Sequence, residues 1–136
     1  MTMTMTTTPM TKTRDEAEAF AARWAAAWND RDIEFVLEHF HEDVVFVSPT
    51  ALAVVGSPLV RGKDALRSYW AKALAPVESI RFVVHHVLWD PARRELAIIY
   101  TQHINGAPKR VSENLTFGDD GRVLAAEVFH GVASVG

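Results

Sequence analysis

Five residues of this chain have the types and spacing that could do chemistry. Glu113, Tyr100 and His130 lie on stretches that alternate like strands, and Trp24 and Trp28 stand four apart on a stretch with helical spacing. A carboxyl group, a phenol and an indole N–H facing one apolar space can exchange a proton with a ligand and hold the charge that develops on it. Other chemistries lack their residues. There is no cysteine, which removes disulfides, thiol catalysis and thiolate metal sites together. The six histidines show no ligand spacing, so no metal and no cofactor are expected. Ser48 has no G-x-S-x-G context and reads as a strand-end residue. Arg61-Gly62-Lys63-Asp64 reads as a turn and helix start, not a phosphate loop.

Helices come first in the elements that must position these groups. Thr13 and Glu16 form a capping box, and Ala17, Phe20, Trp24 and Trp28 then make one apolar stripe. Asn29-Asp30 ends that helix and Asp32 can cap a second, whose buried face is Ile33, Val36, Leu37 and Phe40. Val44 to Val47 reads as a strand that Pro49 stops. The segment "TALAVVGSPLVRG" is punctuated like a loop yet apolar, as if it covered something, and a third helix runs from about Lys63 to Leu74. Four strands follow, near 80–89, 95–104, 109–118 and 122–130, separated by "DPARR", "NG" and "DDG" turns. Helices followed by a meander predict an α+β fold with helices on one face of a curved antiparallel sheet.

The turns fix which side chains share a face. Asn105-Gly106 predicts a two-residue hairpin that sets Tyr100 opposite Val111 and Ile98 opposite Glu113. The last hairpin can close on Asp119-Asp120 or on Asp120-Gly121, and either choice puts Glu113 on one face with Leu124, Ala126, Val128 and His130. That face is apolar through its middle and polar at one end, so Glu113 is its anomaly. Val123, Ala125, Glu127 and Phe129 fall on the other face.

An apolar pocket with Glu113 and an indole in its walls follows if the sheet curls around this face. Its expected lining from the helices and first strand is Phe20, Trp28, Phe46, Ser48 and Trp70. From the sheet it is Ile98, Val111, Ala126, Val128 and, at the mouth, His130. The register sets His130 about four residues, roughly 13 Å, from the level of Glu113, too far for a direct dyad. His85 and His86 would point one to each face. The opposing reading of Glu113 is a bulged strand in which it reaches water beside Lys109 or Arg110.

Length and charge bound the rest. The 136 residues suit one domain, residues 14–136, behind a disordered lead-in over 1–13. A net charge of −3 gives no electrostatic pull toward nucleic acid, and no apolar run is long enough for a membrane span. A cytoplasmic location follows by default.

"RWAAAWNDRDIEFVLEHFHEDVVFVSP", "VRGKDALRSYW" and "ENLTFGDDGRVLAAEVFHG" together resemble the nuclear transport factor 2-like superfamily, in its SnoaL-like and ketosteroid-isomerase-like branch, over residues 14 to 131. The resemblance implies a cone-shaped α+β barrel with an internal apolar pocket, and a homodimer packed through the outer sheet face. At the place of the isomerase general base, just before the strand-ending proline, stands Ser48. The phenolic donor of the first helix falls at Trp24, and the protonated aspartate of the oxyanion hole falls at Glu113, one methylene longer. Steroid isomerisation is therefore disfavoured.

Two functions remain open at this point. One is a cofactor-independent acid/base enzyme, of isomerase, cyclase or dehydratase type, acting on an apolar carbonyl compound. There Glu113 exchanges the proton while Trp24 and Tyr100 hold the oxygen. The other is a non-catalytic binding or dimerisation module.

Overall fold

Thr13 starts the first helix by satisfying donors that no helical carbonyl can reach. Its hydroxyl accepts from the Glu16 amide (3.1 Å) and its own amide donates to the Glu16 carboxylate (2.8 Å), the capping box read from the sequence. The computed structural model describes residues 12–133, so most of the proposed lead-in lies outside the described residues. Lys12 and Thr13 do not belong to a free lead-in: the Trp89 indole donates to the Lys12 carbonyl at 3.0 Å.

From Thr13 the chain runs through α1 (Arg14–Asn29), α2 (Ile33–Glu38), β1 (Phe40–Val47), α3 (Pro49–Val55), β2 (Leu59–Arg61) and α4 (Lys63–Leu74). Four long strands follow, β3 (Ile80–Asp90), β4 (Glu95–Ile104), β5 (Ala107–Phe117) and β6 (Val123–Ala133). Asp32 caps α2 through the Phe35 amide (3.1 Å), as read. Phe40 opens β1 rather than closing α2. The apolar segment after Pro49 is not a loop. Ser48 caps it, Pro49 takes the first helical turn where no amide is needed, and Gly56 ends it at φ 81°.

The six strands lie in the order β2-β1-β6-β5-β4-β3. The sheet is mixed rather than antiparallel, because β1 pairs in parallel with β6 while every other pairing is antiparallel. It is curved but not closed, with β2 and β3 at its edges. Asn29, at the end of α1, treats edge strand β3 as a partner. Its side chain accepts from the Phe82 amide (2.7 Å) and donates to the Phe82 carbonyl (3.2 Å), which pins the helix layer to the sheet.

The β4–β5 hairpin has the expected register, with Ile104 opposite Ala107, Tyr100 opposite Val111 and Ile98 opposite Glu113. Asn105 (φ 52°) and Gly106 (φ 80°) supply the two positive φ values that the turn needs. The β5–β6 hairpin departs from expectation. A register shift between Thr116 and Phe117 pairs Phe117 with Val123, so Val123 is buried and Leu124 is exposed, the reverse of their expected faces. Glu113 therefore pairs with Val128, and His130 stands across from Val111. A second shift, between Lys109 and Val111, lies beside Gly131, where a Cβ would come 3.2 Å from the Arg110 carbonyl oxygen.

In β3, a shift between Val84 and His86 leaves His85 unpaired in the ladder. Both His85 and His86 are exposed, so neither enters the interior. Leu96, Ile98 and Leu115 are fully buried beneath the helices, and each contributes roughly 1.5–3 kcal/mol by leaving water.

Candidate functional site

A cavity of about 490 Å³ opens between the helix layer and one end of the sheet. Trp28 comes to it from the last turn of α1, Phe46 and Ser48 from the end of β1, and Tyr69 and Trp70 from α4. The sheet contributes Phe82, Tyr100, Gln102, Lys109, Glu113, Val128 and His130. The α4 pair reaches the cavity because helical spacing turns Tyr69, Trp70 and Leu66 to the interior together.

Rings pack the wall into a fixed shape. The Trp70 ring meets Trp28 edge to face at 4.9 Å, Phe40 at 5.5 Å and Phe46 at 5.6 Å. Phe82 leans on Tyr100 at 4.7 Å.

Glu113 is only 5 % exposed, and the Tyr100 hydroxyl donates to its Oε1 at 3.0 Å. Burial pushes its carboxyl up from the ordinary 4.5 to about 7, and the Tyr100 hydrogen bond opposes that shift without cancelling it. No cation contributes. Tyr100 in turn is held well above the usual phenol range, first by its burial and then by the Glu113 charge. At neutral pH the site thus holds a protonated phenol beside a carboxyl poised to take or give a proton. The reading in which Glu113 reaches water beside Lys109 or Arg110 is not what the strand does.

Tyr69 and Thr50 were not singled out in the sequence. The Tyr69 phenol is pushed up to about 12, chiefly by burial, while the hydroxyls of Ser48 and Thr50 beside it oppose the shift. Nothing in helical periodicity separates Tyr69 from an ordinary core residue. The signal was its place next to Trp70 on the face that meets the strand ending at Ser48. Ser48 itself is buried, and its Oγ accepts from the Thr50 amide at 3.2 Å.

Of the expected lining, Trp28, Phe46, Ser48, Trp70, Tyr100, Glu113, Val128 and His130 border the cavity. Phe20, Ile98, Val111 and Ala126 are buried elsewhere in the core and do not. Trp24 does not border it either. Its ring packs behind Tyr100 (5.1 Å) and Phe82 (5.5 Å), so it backs the wall instead of facing a ligand. Both the Trp24 and the Trp28 indole nitrogens are buried without a hydrogen-bond partner, and of the two only Trp28 lines the cavity. The expected distance of His130 is also corrected. It lies two residues along β6 from Val128, the partner of Glu113, or about 6.6 Å at strand rise.

No three histidine, aspartate or glutamate side chains cluster to hold a metal among the described residues, and no helix there is long and apolar enough to cross a membrane.

A helix layer over a curved mixed sheet, with a cavity at one end, defines a known class. The SnoaL-like domain profile matches residues 21–130, and the chain belongs to that family. Among solved structures it is similar to a SnoaL-like protein of unknown function from Burkholderia thailandensis, at 27% identity and a TM-score of 0.79 over 90% of this chain and 100% of that one. A putative ketosteroid isomerase from Kribbella flavida has the same fold at 18% identity and a TM-score of 0.68, covering 90% of this chain and 83% of that one. So does the epoxide hydrolase/cyclase-like enzyme SalBIII of salinomycin pyran-ring formation, at 18% identity and a TM-score of 0.66, covering 88% and 91%. No functionally curated protein matches the sequence.

Proposed function

We propose that this SnoaL-like protein is a cofactor-independent acid/base catalyst acting on an apolar carbonyl compound held in the cavity. One observation carries the reading: a buried carboxyl that titrates near neutrality, hydrogen-bonded to a phenol, in the wall of an apolar space large enough for a small molecule. The isomerase-like and cyclase-like neighbours are in keeping with it.

In this mechanism the ionised Glu113 takes a proton from the carbon next to the carbonyl and returns it to another position. Tyr100 holds Oε1, which leaves the other carboxyl oxygen for the ligand. Negative charge moves onto the carbonyl oxygen as the C–H bond breaks. The Tyr69 hydroxyl in the cavity wall is the donor for that oxygen, in place of the Trp24 and Tyr100 expected from sequence.

The second reading, a non-catalytic binder, draws on Ser48. Its oxygen is occupied in capping α3, and among the described residues no second carboxylate lines the cavity. Exposed Phe129 and Leu88 support pairing with a second copy through the outer sheet face.

Deuterium incorporation into 2-tetralone in D₂O, followed by NMR, separates the two readings. The catalyst reading predicts exchange faster than in buffer, a rate that rises with pH through about 7, and a loss of about 10²–10⁴-fold in Glu113→Gln. Binding of the ketone without accelerated exchange would favour the binder.

A further inference from the structure

The cavity is not apolar throughout. Three polar side chains stand in its wall on adjacent strands, Gln102 on β4, Lys109 on β5 and His130 on β6, all toward the sheet end that carries the Asn105-Gly106 turn. Gln102 and Lys109 are direct cross-strand partners. Lys109 is half-buried, and among the described residues no carboxylate lies within ion-pair distance of it.

Lys109 borders the cavity with no anion of its own, so its ammonium is free to pair with an anionic group of a ligand. Burial and the neighbouring Lys109 charge both push the His130 imidazole below its usual range, so near neutrality His130 offers a hydrogen bond rather than a charge. The only carboxyl in the wall among the described residues, Glu113, lies four residues from Lys109 on β5, about 13 Å at strand rise. Allowing for the reach of a lysine side chain, a chain of six or so methylenes spans the remaining distance. Trp28, Trp70 and Phe82 add rings to the cavity wall.

We infer that the ligand is amphiphilic: an apolar carbonyl compound that also carries a carboxylate, with its carbonyl at Glu113 and its carboxylate at Lys109, Gln102 and His130. This rests on the proposed function for the carbonyl end and adds the anionic end to it.

The test is calorimetric titration of 8-oxo-8-phenyloctanoate and of its methyl ester into the wild-type protein and Lys109→Met. The acid should bind about tenfold tighter than the ester to the wild type, although the ester is the more apolar of the two. Lys109→Met should lose that preference by weakening the acid alone, with unchanged ester binding showing that the cavity is intact. Equal affinity of the two probes for the wild type, or a preference that survives in Lys109→Met, would overturn the anionic end and leave the pocket reading standing. Binding of neither probe would overturn both.

Discussion

Glu113→Gln is expected to gain about 3 kcal/mol of stability relative to the wild-type protein as the pH is raised from about 4 to about 8. The folded carboxyl titrates at about 7 and the unfolded one near its ordinary 4.5. Between those values the folded protein keeps a proton that the unfolded chain has released. The contribution of protonated Glu113 is therefore fully present below the unfolded value and is lost as the pH rises through about 7. A glutamine does not titrate, and its amide oxygen can still accept from the Tyr100 hydroxyl. Urea unfolding of both proteins across this range isolates the difference, because all other groups cancel. Parallel stability profiles for the two proteins would show that the carboxyl pays no penalty for its charge. The same substitution removes the base from the cavity, so a variant gaining stability above neutrality should be the one that loses exchange activity.

Phe40→Ala is the second large effect, a loss of roughly 3–5 kcal/mol. Phe40 is 0 % exposed at the start of β1 and meets Trp70 edge to face at 5.5 Å. Removing its ring leaves a void that α2, α4 and the sheet cannot all close upon, since each is fixed by its own contacts. Phe40 does not border the cavity, but Trp70 does, and Trp70 relies on Phe40 for one of its three ring contacts. The variant should therefore bind the 8-oxo-8-phenyloctanoate ester more weakly even where it remains folded. Guanidinium unfolding measures the first effect and calorimetry the second. A loss of under about 1 kcal/mol would mean that the helix layer can collapse onto the space and is not the rigid wall described above.

What could be read from sequence, and what could not, divides along local and non-local physics. The Asn105-Gly106 turn has few backbone solutions, so it fixed the β4–β5 register and with it the placement of Glu113 opposite Ile98. The capping residues Thr13 and Asp32 act within three residues and were equally legible. The bulges were not. Each adds a residue to one strand without changing composition, so the reversal of Val123 and Leu124, the outward turn of both His85 and His86 and the approach of His130 toward Glu113 left no local signal.

Helix α3 did carry a signal: Ser48 followed by Pro49 is a helix start as much as a strand stop, and the apolar residues behind it favoured the other reading. The parallel pairing of β1 with β6 joins elements from opposite ends of the domain, and nothing in either strand alone announces its partner. Trp24 and Trp28 illustrate the same limit within the site. Both are buried with unpartnered indoles, and only the packing of Phe82 and Tyr100 decides that Trp28 borders the cavity while Trp24 stands behind it.

The most direct test of this account is a carbon-detected NMR titration of the Glu113 side-chain carboxyl in the ligand-free protein, assigned by its absence in Glu113→Gln. A midpoint of about 7 is the predicted result and places a proton-exchanging acid in the cavity wall. A midpoint near the ordinary 4.5 would mean that the carboxylate is ionised and hydrated at neutral pH, and would contradict the catalytic reading at its base.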